Sequence, residues 1–528
     1  MKRIFALTSC IVSSSRTSSF LTFFLHIGTL PAIIIAHNSA SFAVDLNIRR
    51  DNDAPALLTN PDFPTSLEKE IKKYIVDLDS LANRYSLVQA VEIGLTSNPL
   101  LQRQYQQFQS ISWKTIATRR EWLPSLSISS TLGLESKTTE AQRTQMPRSL
   151  SSNQFDLRSE SLFRPIPKFS WSLINFSRSS LLQSQKTELM AQSLRVRQSA
   201  RDLMLNIQSE YYNIQRIRKA QAVRLTVKKI CLDIANIIST QSNESDQRQI
   251  NSILARAASS ESAWLSQQQQ ATASAARLSG LLAQPSNSYV LPSDNLIPSS
   301  EWGKNLDQSL LMARENREEI QISTLTSSSL RDQASAAMNR YLPEISLDAL
   351  ADYKYNQYEL SKIGQTTEVG NGLIADVRAV MTINWKFFDS GVNAAQAMAL
   401  RKSSQALLNQ SSLDLLQAES QVKTAYADYV SQLLQFPTIA RELNKATRAL
   451  EILLSEDPLG SQDYSVRLIQ GVDQYEKAAE KWFEVQANYN ISLAKLHRYT
   501  STWPNEFLPV IRSGMIPLDG VNLDAQAH

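Results

Sequence analysis

Covalent, acid–base and metal chemistry draw first on histidine and cysteine, and this chain has little of either. Four histidines and two cysteines serve 528 residues. His26, His37 and Cys10 fall in a stretch read below as a leader, so a processed chain keeps His497, His528 and Cys231. One cysteine cannot make an intrachain disulfide, and two histidines are too few for a histidine metal site or a triad. No G-x-S-x-G, H-E-x-x-H or phosphate-loop pattern occurs. The chemistry left is that of carboxylates. They gather at two polar turns, one holding Asn243, Glu244 and Asp246, the other Glu456, Asp457, Gly460, Asp463 and Tyr464. Carboxylates crowded together raise one another's pKa and hold cations, although Asp and Ser are favoured in any solvated turn. This inventory predicts no enzyme, no cofactor and no bound metal.

The start of the chain sets the compartment. Lys2 and Arg3 open a serine-rich stretch, an apolar run spans Phe20 to Ala36, and Ser41-Phe42-Ala43 supplies a small-x-small site before Val44. That order describes a secretory signal peptide over residues 1–43. His26 and Pro31 interrupt the apolar run, which makes it a poor permanent membrane helix, the competing reading. Leu7-Thr8-Ser9-Cys10 looks like a lipidation box, but the apolar core follows it instead of preceding it. Removing the leader takes Lys2, Arg3 and Arg16 and no acidic residue, so the formal charge falls from +4 to +1. No basic block survives that would suit nucleic acid.

The elements that must position the acidic turns are long helices. From Lys168 to Ser279 there is neither Gly nor Pro, a run of 112 residues. Within it Leu182, Leu189, Val196 and Leu203 fall seven apart, with Ala200, Ile207 and Ile214 on the neighbouring seam. Leu408, Leu415, Val422, Tyr429 and Phe436 repeat the spacing, with Ala418 and Ala425 between. Sustained heptads mean helices packed side by side as coiled coils. A helix from 177 to 238 would measure roughly 90 Å at 1.5 Å per residue. Pro437 falls inside the second such helix and should kink it.

Segments of the opposite period sit between these helices. Leu126, Ile128, Leu132 and Leu134 alternate with small or polar residues, and so do Phe169 and Trp171 with Ser170 and Ser172. Ile345, Leu347, Ala349, Ala351, Tyr353 and Tyr355 hold odd positions against Glu344, Ser346, Asp348, Asp352 and Lys354. Val377, Ala379, Met381, Ile383, Trp385 and Phe387 do the same. These predict four strands of about ten residues, each with one apolar and one wet face, the length and pattern of transmembrane β-strands. Four half-buried strands of a soluble sandwich are the alternative. The aromatic strand ends favour the membrane. The polar stretches Ser136–Phe163 and Asn356–Gly372 are expected to be surface loops.

The pattern occurs twice. Leu87 and Leu306, Asn98 and Arg317, and Leu123-Pro124 and Leu342-Pro343 lie 219 apart; Trp171 and Trp385 lie 214 apart, and Leu278 and Leu493 lie 215 apart. The expected organisation is therefore a signal peptide at 1–43, a lead-in at 44–84, a repeat at 85–300, a second repeat at 301–503 and a tail at 504–528. The first repeat holds strands at about 124–135 and 166–176 and helices at about 177–238 and 249–283. The second holds strands at about 343–356 and 376–388 and helices at about 390–454 and 462–500.

Leu87 through Ala90, Asn98-Pro99-Leu100, Trp122-Leu123-Pro124 and Trp385-Lys386-Phe387-Phe388-Asp389-Ser390-Gly391 together resemble the TolC-like outer-membrane efflux proteins. The last segment is similar to that family's W-x-L-F-D-x-G junction, and Asn175-Phe176-Ser177 is its degenerate counterpart in the first repeat. The resemblance covers roughly residues 85–500. It implies an α+β membrane protein, a homotrimer whose three sets of four strands close one 12-stranded transmembrane β-barrel, continuous with a long periplasmic α-helical coiled-coil barrel. It implies an outer-membrane location with a large periplasmic portion, set in outer-membrane lipid. It also implies a passive exit route in a tripartite efflux or type I secretion system, with a periplasmic adaptor (membrane fusion) protein and an inner-membrane ABC or RND-type pump as partners.

By the same resemblance, Asp463 and Tyr464 are candidates for the periplasmic gate, with Glu456 and Asp457 joining them. Asn243, Glu244, Asp246 and Gly460 are candidates for the tips that dock an adaptor. The family usually carries Gly at both tips, and the first tip here has none, so its register departs from the pattern. A periplasmic or cell-surface coiled-coil protein with no pore is the competing reading; it accounts for the heptads but not for the duplicated amphipathic strands.

Overall fold

The computed structural model describes residues 78–143, 152–241, 247–362, 368–458 and 463–513. The leader, most of the lead-in, Asn243, Glu244, Asp246, Gly460 and the tail beyond Ser513 lie outside the described residues. After a single turn, α1 (Leu78–Leu81), the strand β1 (Ala82–Tyr85) runs into helices α2 (Leu87–Ser97) and α3 (Pro99–Arg120). Ser86 starts α2 with a reciprocal cap to Gln89. Asn98 ends α2 and starts α3: its side chain accepts from Leu100 and Leu101 while donating to the Leu281 carbonyl at 2.8 Å. Pro99 at the first helical position loses nothing, because that N–H has no partner in any helix. Strands β2 (Ser125–Arg143) and β3 (Ser152–Ile174) lead to the long helix α4 (Phe176–Gln241), then α5 (Gln247–Leu281) and β4 (Tyr289–Pro292). The order then recurs with α6 (Leu306–Asn316), α7 (Glu318–Asn339), β5 (Glu344–Lys362), β6 (Glu368–Asn384), α8 (Val392–Ser455) and α9 (Tyr464–Tyr499). A 3-10 turn (Asn505–Phe507) and α10 (Leu508–Ser513) close it, with Phe507 and Ile511 buried in the core.

The helices stand in four columns. α4 and α8, of 66 and 64 residues, each fill a column alone, roughly 100 Å at 1.5 Å per residue. On one flank of α4 lie α3 and α5, one after the other along its length. Gln104 of α3 accepts from Gln192, while Gln268 of α5 accepts from Gln221. On its other flank lie α7 and α9, which separate it from α8. The upper part of this seam is built from small residues. Ser329 of α7 meets Ser184 of α4 at 3.0 Å, and Ser327 meets Ser404 of α8 at 2.8 Å. The heptad positions Leu189, Val196, Leu203, Ala200, Ile207 and Ile214 are all buried on α4. α8 continues as helix through Pro437. Both Pro437 and Leu433, whose carbonyl loses its N–H partner, are exposed, so water can serve that carbonyl.

Three features differ from the sequence reading. The strands are 19, 23, 19 and 17 residues long, well past the ten or so expected, and most of the polar stretches taken for loops is paired backbone. Alternation reports where one face meets apolar surroundings. Ladder hydrogen bonds do not need it, because the backbone groups pair whatever the side chains are. The last strand also stops early, at Asn384. Trp385 to Phe388 leave the sheet, with the Trp385 indole donating to the Tyr341 carbonyl at 2.9 Å. A small parallel pair, β1 with β4, was not foreseen; it ties the lead-in to the segment after α5.

Where α4, α7 and α9 meet at mid-height, six charges share a junction that is buried except at the half-exposed Asp202. Arg498 is 4% exposed and bonds Asp202, and its guanidinium reaches Glu319 at 2.7 Å. Arg201 pairs with Glu318, which also accepts from Ser501 at 2.5 Å. Arg317 pairs with Glu319 at 2.8 Å and donates to Gln421 of α8 at 2.7 Å. Burial lowers the Arg201 pKa to about 10, Glu318 opposing that shift, while the carboxylates around Arg498 raise its pKa against the cost of burial. Three cations face three anions, so the junction is neutral only when complete. Removing one member leaves a buried charge alone. Arg498→Leu should therefore cost about 3–5 kcal/mol, read as a fall in the urea midpoint of the purified protein, with Glu319→Gln in the same chain recovering part of it.

Beside that junction His497 stands edge-on to Trp302, ring centroids 4.8 Å apart, with Nδ1 3.0 Å from the Thr502 hydroxyl. Burial, and then the Lys304 charge, push its pKa down from 6.5 to about 4. A histidine held neutral by the fold contributes stability that is present above its unfolded pKa and is lost as pH falls through the folded one. Melting temperature should thus decline between about pH 6.5 and about pH 4, and His497→Phe should flatten that part of the profile.

Candidate functional site

The four long strands form one antiparallel sheet in the order β2-β3-β5-β6. Their register puts like with like. Leu126 pairs with Phe169, Phe169 with Ala349, Trp171 with Leu347, Leu347 with Met381, and Ile345 with Ile383. One face is therefore an apolar band across all four strands. It is laid open to the surroundings: Leu126, Ile128 and Leu132 are more than 70% exposed. The other face carries Ser125, Ser127, Arg164, Lys168, Ser170, Asp348, Asp352 and Arg378. Lys168 sits 3.2 Å from Asp348, which also accepts from Ser170 at 2.6 Å, and Arg164 makes a two-pronged pair with Asp352. A register shift at Ser172/Ile174 bends β3 just before α4 begins. Among the described residues, β2 and β6 each pair along one side, so the sheet has two open edges of 19 and 17 residues.

Strand passes to helix through a polar clasp. Asp389 accepts from the Tyr341 hydroxyl at 2.6 Å and from the backbone N–H groups of Gly391 and Asn393 at 3.0 and 2.9 Å. Tyr341 and the start of α8 hold the Asp389 carboxyl below its usual range, as expected for an anion at a helix N-terminus. Ser390 and Gly391 both take positive φ, 56° and 84°, to turn the chain there. Only glycine adopts that region without steric cost. Asn175 makes the matching contacts at the start of α4, accepting from the Ser177 N–H at 3.1 Å. Trp171 donates to the Trp122 carbonyl at 3.0 Å, as Trp385 does to that of Tyr341.

At the opposite end of the columns lies the α8–α9 tip. Tyr464 is fully buried, packed in the cluster of Leu450, Leu468, Ile238 and Ile253, and its hydroxyl donates to the Leu453 carbonyl at 3.1 Å. Burial raises its pKa, with Glu456 adding to the shift. Glu456 caps α8 and pairs with Arg467 of α9 at 2.8 Å. Asp457 and Asp463 are exposed. The structure thus brings Glu456 and Tyr464 into one closure that ties the end of α8 to the start of α9. It leaves Asp457 and Asp463 facing solvent on either side of the turn. Gly471 lets the two helices approach: a Cβ there would stand 2.6 Å from Leu453 Cδ1.

Sequence reasoning missed a second charged cluster just above this tip. Arg256 of α5 reaches Asp473 and Glu476 of α9 at 2.6 and 2.5 Å, and Arg224 of α4 reaches Glu476 and Glu480 at 2.7 and 2.6 Å. The partners lie more than 200 residues apart, so no local spacing could reveal them. The available signal was a charge inside an otherwise apolar helix stripe. Cys231 in the same region is buried, its thiol pushed up to about 11, which makes it a packing residue instead of a nucleophile.

No family model matches the sequence, and no curated protein matches it. Solved structures do. A membrane protein from Pseudomonas aeruginosa superposes with a TM-score of 0.62 at 15% identity, covering 80% of this chain and 95% of that one. The open-state MtrE outer-membrane channel of Neisseria gonorrhoeae gives 0.60 at 15%, covering 79% and 89%. The CmeC outer-membrane channel of Campylobacter jejuni gives 0.61 at 14%, covering 78% and 85%. Identity this low speaks for architecture, and over most of its length the chain has the fold of the TolC-like outer-membrane channels.

Proposed function

We propose that three copies of this chain form a passive outer-membrane channel, the exit duct of a tripartite efflux or type I secretion system. The observation that carries this reading is the sheet: one apolar face, one ion-paired face and two unpaired edges. Open edges are prohibitive in lipid, where no water can satisfy them. Closing β6 of one copy on β2 of the next removes every edge, and three copies supply twelve strands. The apolar band then faces lipid, with the Trp171 and Trp385 side at the interface, and the Arg164–Asp352 and Lys168–Asp348 pairs line a wet lumen. Strands of 17 to 23 residues exceed the 9–11 that span a bilayer, so the barrel projects beyond it.

The outer columns fit the same assembly. α8 exposes Leu413, Leu416, Leu434 and Ile452, and α3 exposes Trp113, apolar side chains that neighbouring copies would cover. Duplication of one helix–strand–strand–helix unit, read from the offsets near 219 and 214, explains the paired clasps at Asn175 and Asp389. The tips near Asn243, Glu244, Asp246 and Gly460 are where an adaptor would dock, and an ABC or RND-type pump would deliver the cargo. A pore-less coiled-coil spacer accounts for the columns but not for the sheet. Trimer bands that dissociate on heating, together with discrete conductance steps in planar bilayers, test this reading; a monomer with no conductance would end it.

Two predictions follow from the faces and the tip. Leu132→Arg, on the apolar face well in from the Trp171 rim, should cost about 2–4 kcal/mol near the bilayer midplane and abolish the trimer band. Asp348→Asn, which breaks the Lys168 pair on the polar face, should leave the trimer intact.

At the tip, Tyr464→Ala removes the ring and the hydroxyl that tie α9 to Leu453, and should raise single-channel conductance. Tyr464→Phe, which keeps the ring, should raise it less. Asp463→Ala should weaken cation selectivity, because three exposed carboxylates at a threefold mouth attract cations. Unchanged conductance in Tyr464→Ala would remove this tip from the gate.

A further inference from the structure

α8 runs unbroken through Pro437, yet at that point its ladder lacks one rung. A proline inside a helix has no N–H to donate, and its ring crowds the carbonyl four residues back, here that of Leu433. Sharp bends in helices gather at such positions. The surroundings of α8 also change there. Above Pro437, α8 is held by several elements. The Tyr429 hydroxyl accepts from the Trp302 N–H at 3.1 Å, and Gln421 accepts from Arg317 at 2.7 Å. The Phe436 ring lies 5.7 Å from that of Trp482 and 5.3 Å from that of Tyr489. Below Pro437, the hydrogen bonds and ion pairs from α8 to other elements, among the described residues, go to α9. Glu442 pairs with Lys481 at 3.0 Å, the Leu453 carbonyl accepts from Tyr464 at 3.1 Å, and Glu456 pairs with Arg467 at 2.8 Å.

The free flank changes at the same place. Leu413, Leu416, Leu433 and Leu434 are exposed above Pro437. Below it the exposed side chains are Arg441, Glu442, Asn444, Lys445, Arg448 and Glu451, until Ile452 near the tip. A polar flank needs no apolar cover, so this stretch can move without stripping one away. α9 is anchored in a way that α8 is not. Arg256 ties it to α5 and Arg224 ties it to α4, through Asp473, Glu476 and Glu480, and Gln267 of α5 donates to Glu480 at 3.1 Å. α8 packs on α9, α7 and α6, and on neither α4 nor α5.

We propose that α8 is a hinged helix, whose lower part from Thr438 to Ser455 bends at Pro437 and swings away from α9, while α9 stays fixed to α4 and α5. The moving part is half of one helix, not the α8–α9 pair. Phe436, wedged between Trp482 and Tyr489, holds the helix directly above the pivot and confines the bend to one turn. The lever below it is about 27 Å long at 1.5 Å per residue, so a bend of about 20° carries its end about 9 Å. That this swing widens a duct rests on the channel reading; the hinge itself does not.

Hydrogen–deuterium exchange on the purified full-length protein in detergent tests the hinge. Amides of residues 438–446 should exchange about tenfold faster than those of residues 418–430 on the same helix, while residues 472–480 of α9 stay protected. Pro437→Ala restores a donor to the Leu433 carbonyl and should slow residues 438–446 about tenfold. Pro437→Gly restores the donor but keeps the backbone pliant, and should slow them less. Single-channel recordings test the consequence. Adding Pro437→Ala to Tyr464→Ala should cancel most of the conductance rise expected of Tyr464→Ala alone, and adding Pro437→Gly should not. Equal exchange in Pro437→Ala and the unaltered protein, or equally fast exchange over residues 472–480, would overturn the hinge. An undiminished rise in the variant carrying both alanines would overturn its part in opening. Absence of any conductance steps would count against the channel reading, with the exchange data still deciding the hinge.

Discussion

A helix of about 100 Å presents far more flank than it can shield by itself, and that constraint organises the molecule. α4 meets it by standing between two other columns. Its seam at Leu189, Val196, Leu203, Ile207 and Ile214 is sealed by α3, α5, α7 and α9, each covering part of the height. The partners are short where α4 is long, so the joints fall at mid-height. There the chain needs caps, turns and a compact core, supplied by Asn98 and Asn305, by the β1–β4 pair and by the Phe507 anchor. The junction of Arg201, Asp202, Arg317, Glu318, Glu319 and Arg498 sits where those joints meet. Charge fixes what apolar packing would leave free to slide: leucines in a coiled coil tolerate a shift of register, whereas six matched charges do not.

Small side chains set how closely the columns approach. Serines at 184, 327, 329 and 404 and alanines at 334, 337 and 397 let α4, α7 and α8 pack with little between them. Their hydroxyls pair across the seam, leaving no donor stranded. Lower down the contacts grow bulkier, with Tyr429, Phe436, Trp482 and Tyr489 stacked between α8 and α9. Gly471 restores the close approach only near the tip. The α8–α9 contact is therefore made by rings in the middle and by close backbone approach near its end, where Tyr464 and the Glu456–Arg467 pair hold it.

Periodicity made the helices and the sheet faces legible, because a seven-residue seam or a two-residue alternation is written by the surface each element must bury. Val196 and Leu203 on α4, and Leu347 and Met381 across β5 and β6, carry that information locally. The strand ends were not legible for the complementary reason. Beyond Leu134 and Tyr355 the backbone goes on pairing while the side chains no longer separate apolar from wet, and pairing leaves no mark on composition. The early end of β6 depended on the Trp385 indole finding the Tyr341 carbonyl, 44 residues away. The acidic turn at 456–464 was visible as a cluster of residue types. That Glu456 is neutralised by Arg467 while Tyr464 turns inward was not, since both depend on how two helices meet. The mid-height junction and the Arg224–Arg256 cluster escaped for the same reason, their partners lying far apart in the chain.

Polar and apolar demands divide the sheet in a way that also explains its edges. Every charged residue described on the wet face, from Glu344 and Asp348 to Arg164 and Arg378, stands on the side where ion pairs form across strands. The apolar face has no charged residue between Leu126 and Leu132 on β2, between Ile345 and Tyr355 on β5 or between Val377 and Ile383 on β6. A soluble sandwich would cover that face with a second layer of its own chain. Here no described helix packs on the sheet, so among the described residues no element of the protomer covers the band. A surface of this kind is stable only against something apolar, and its edges only against strands. The same four strands pose both demands, and the ring of identical sheets in lipid proposed above would answer them together.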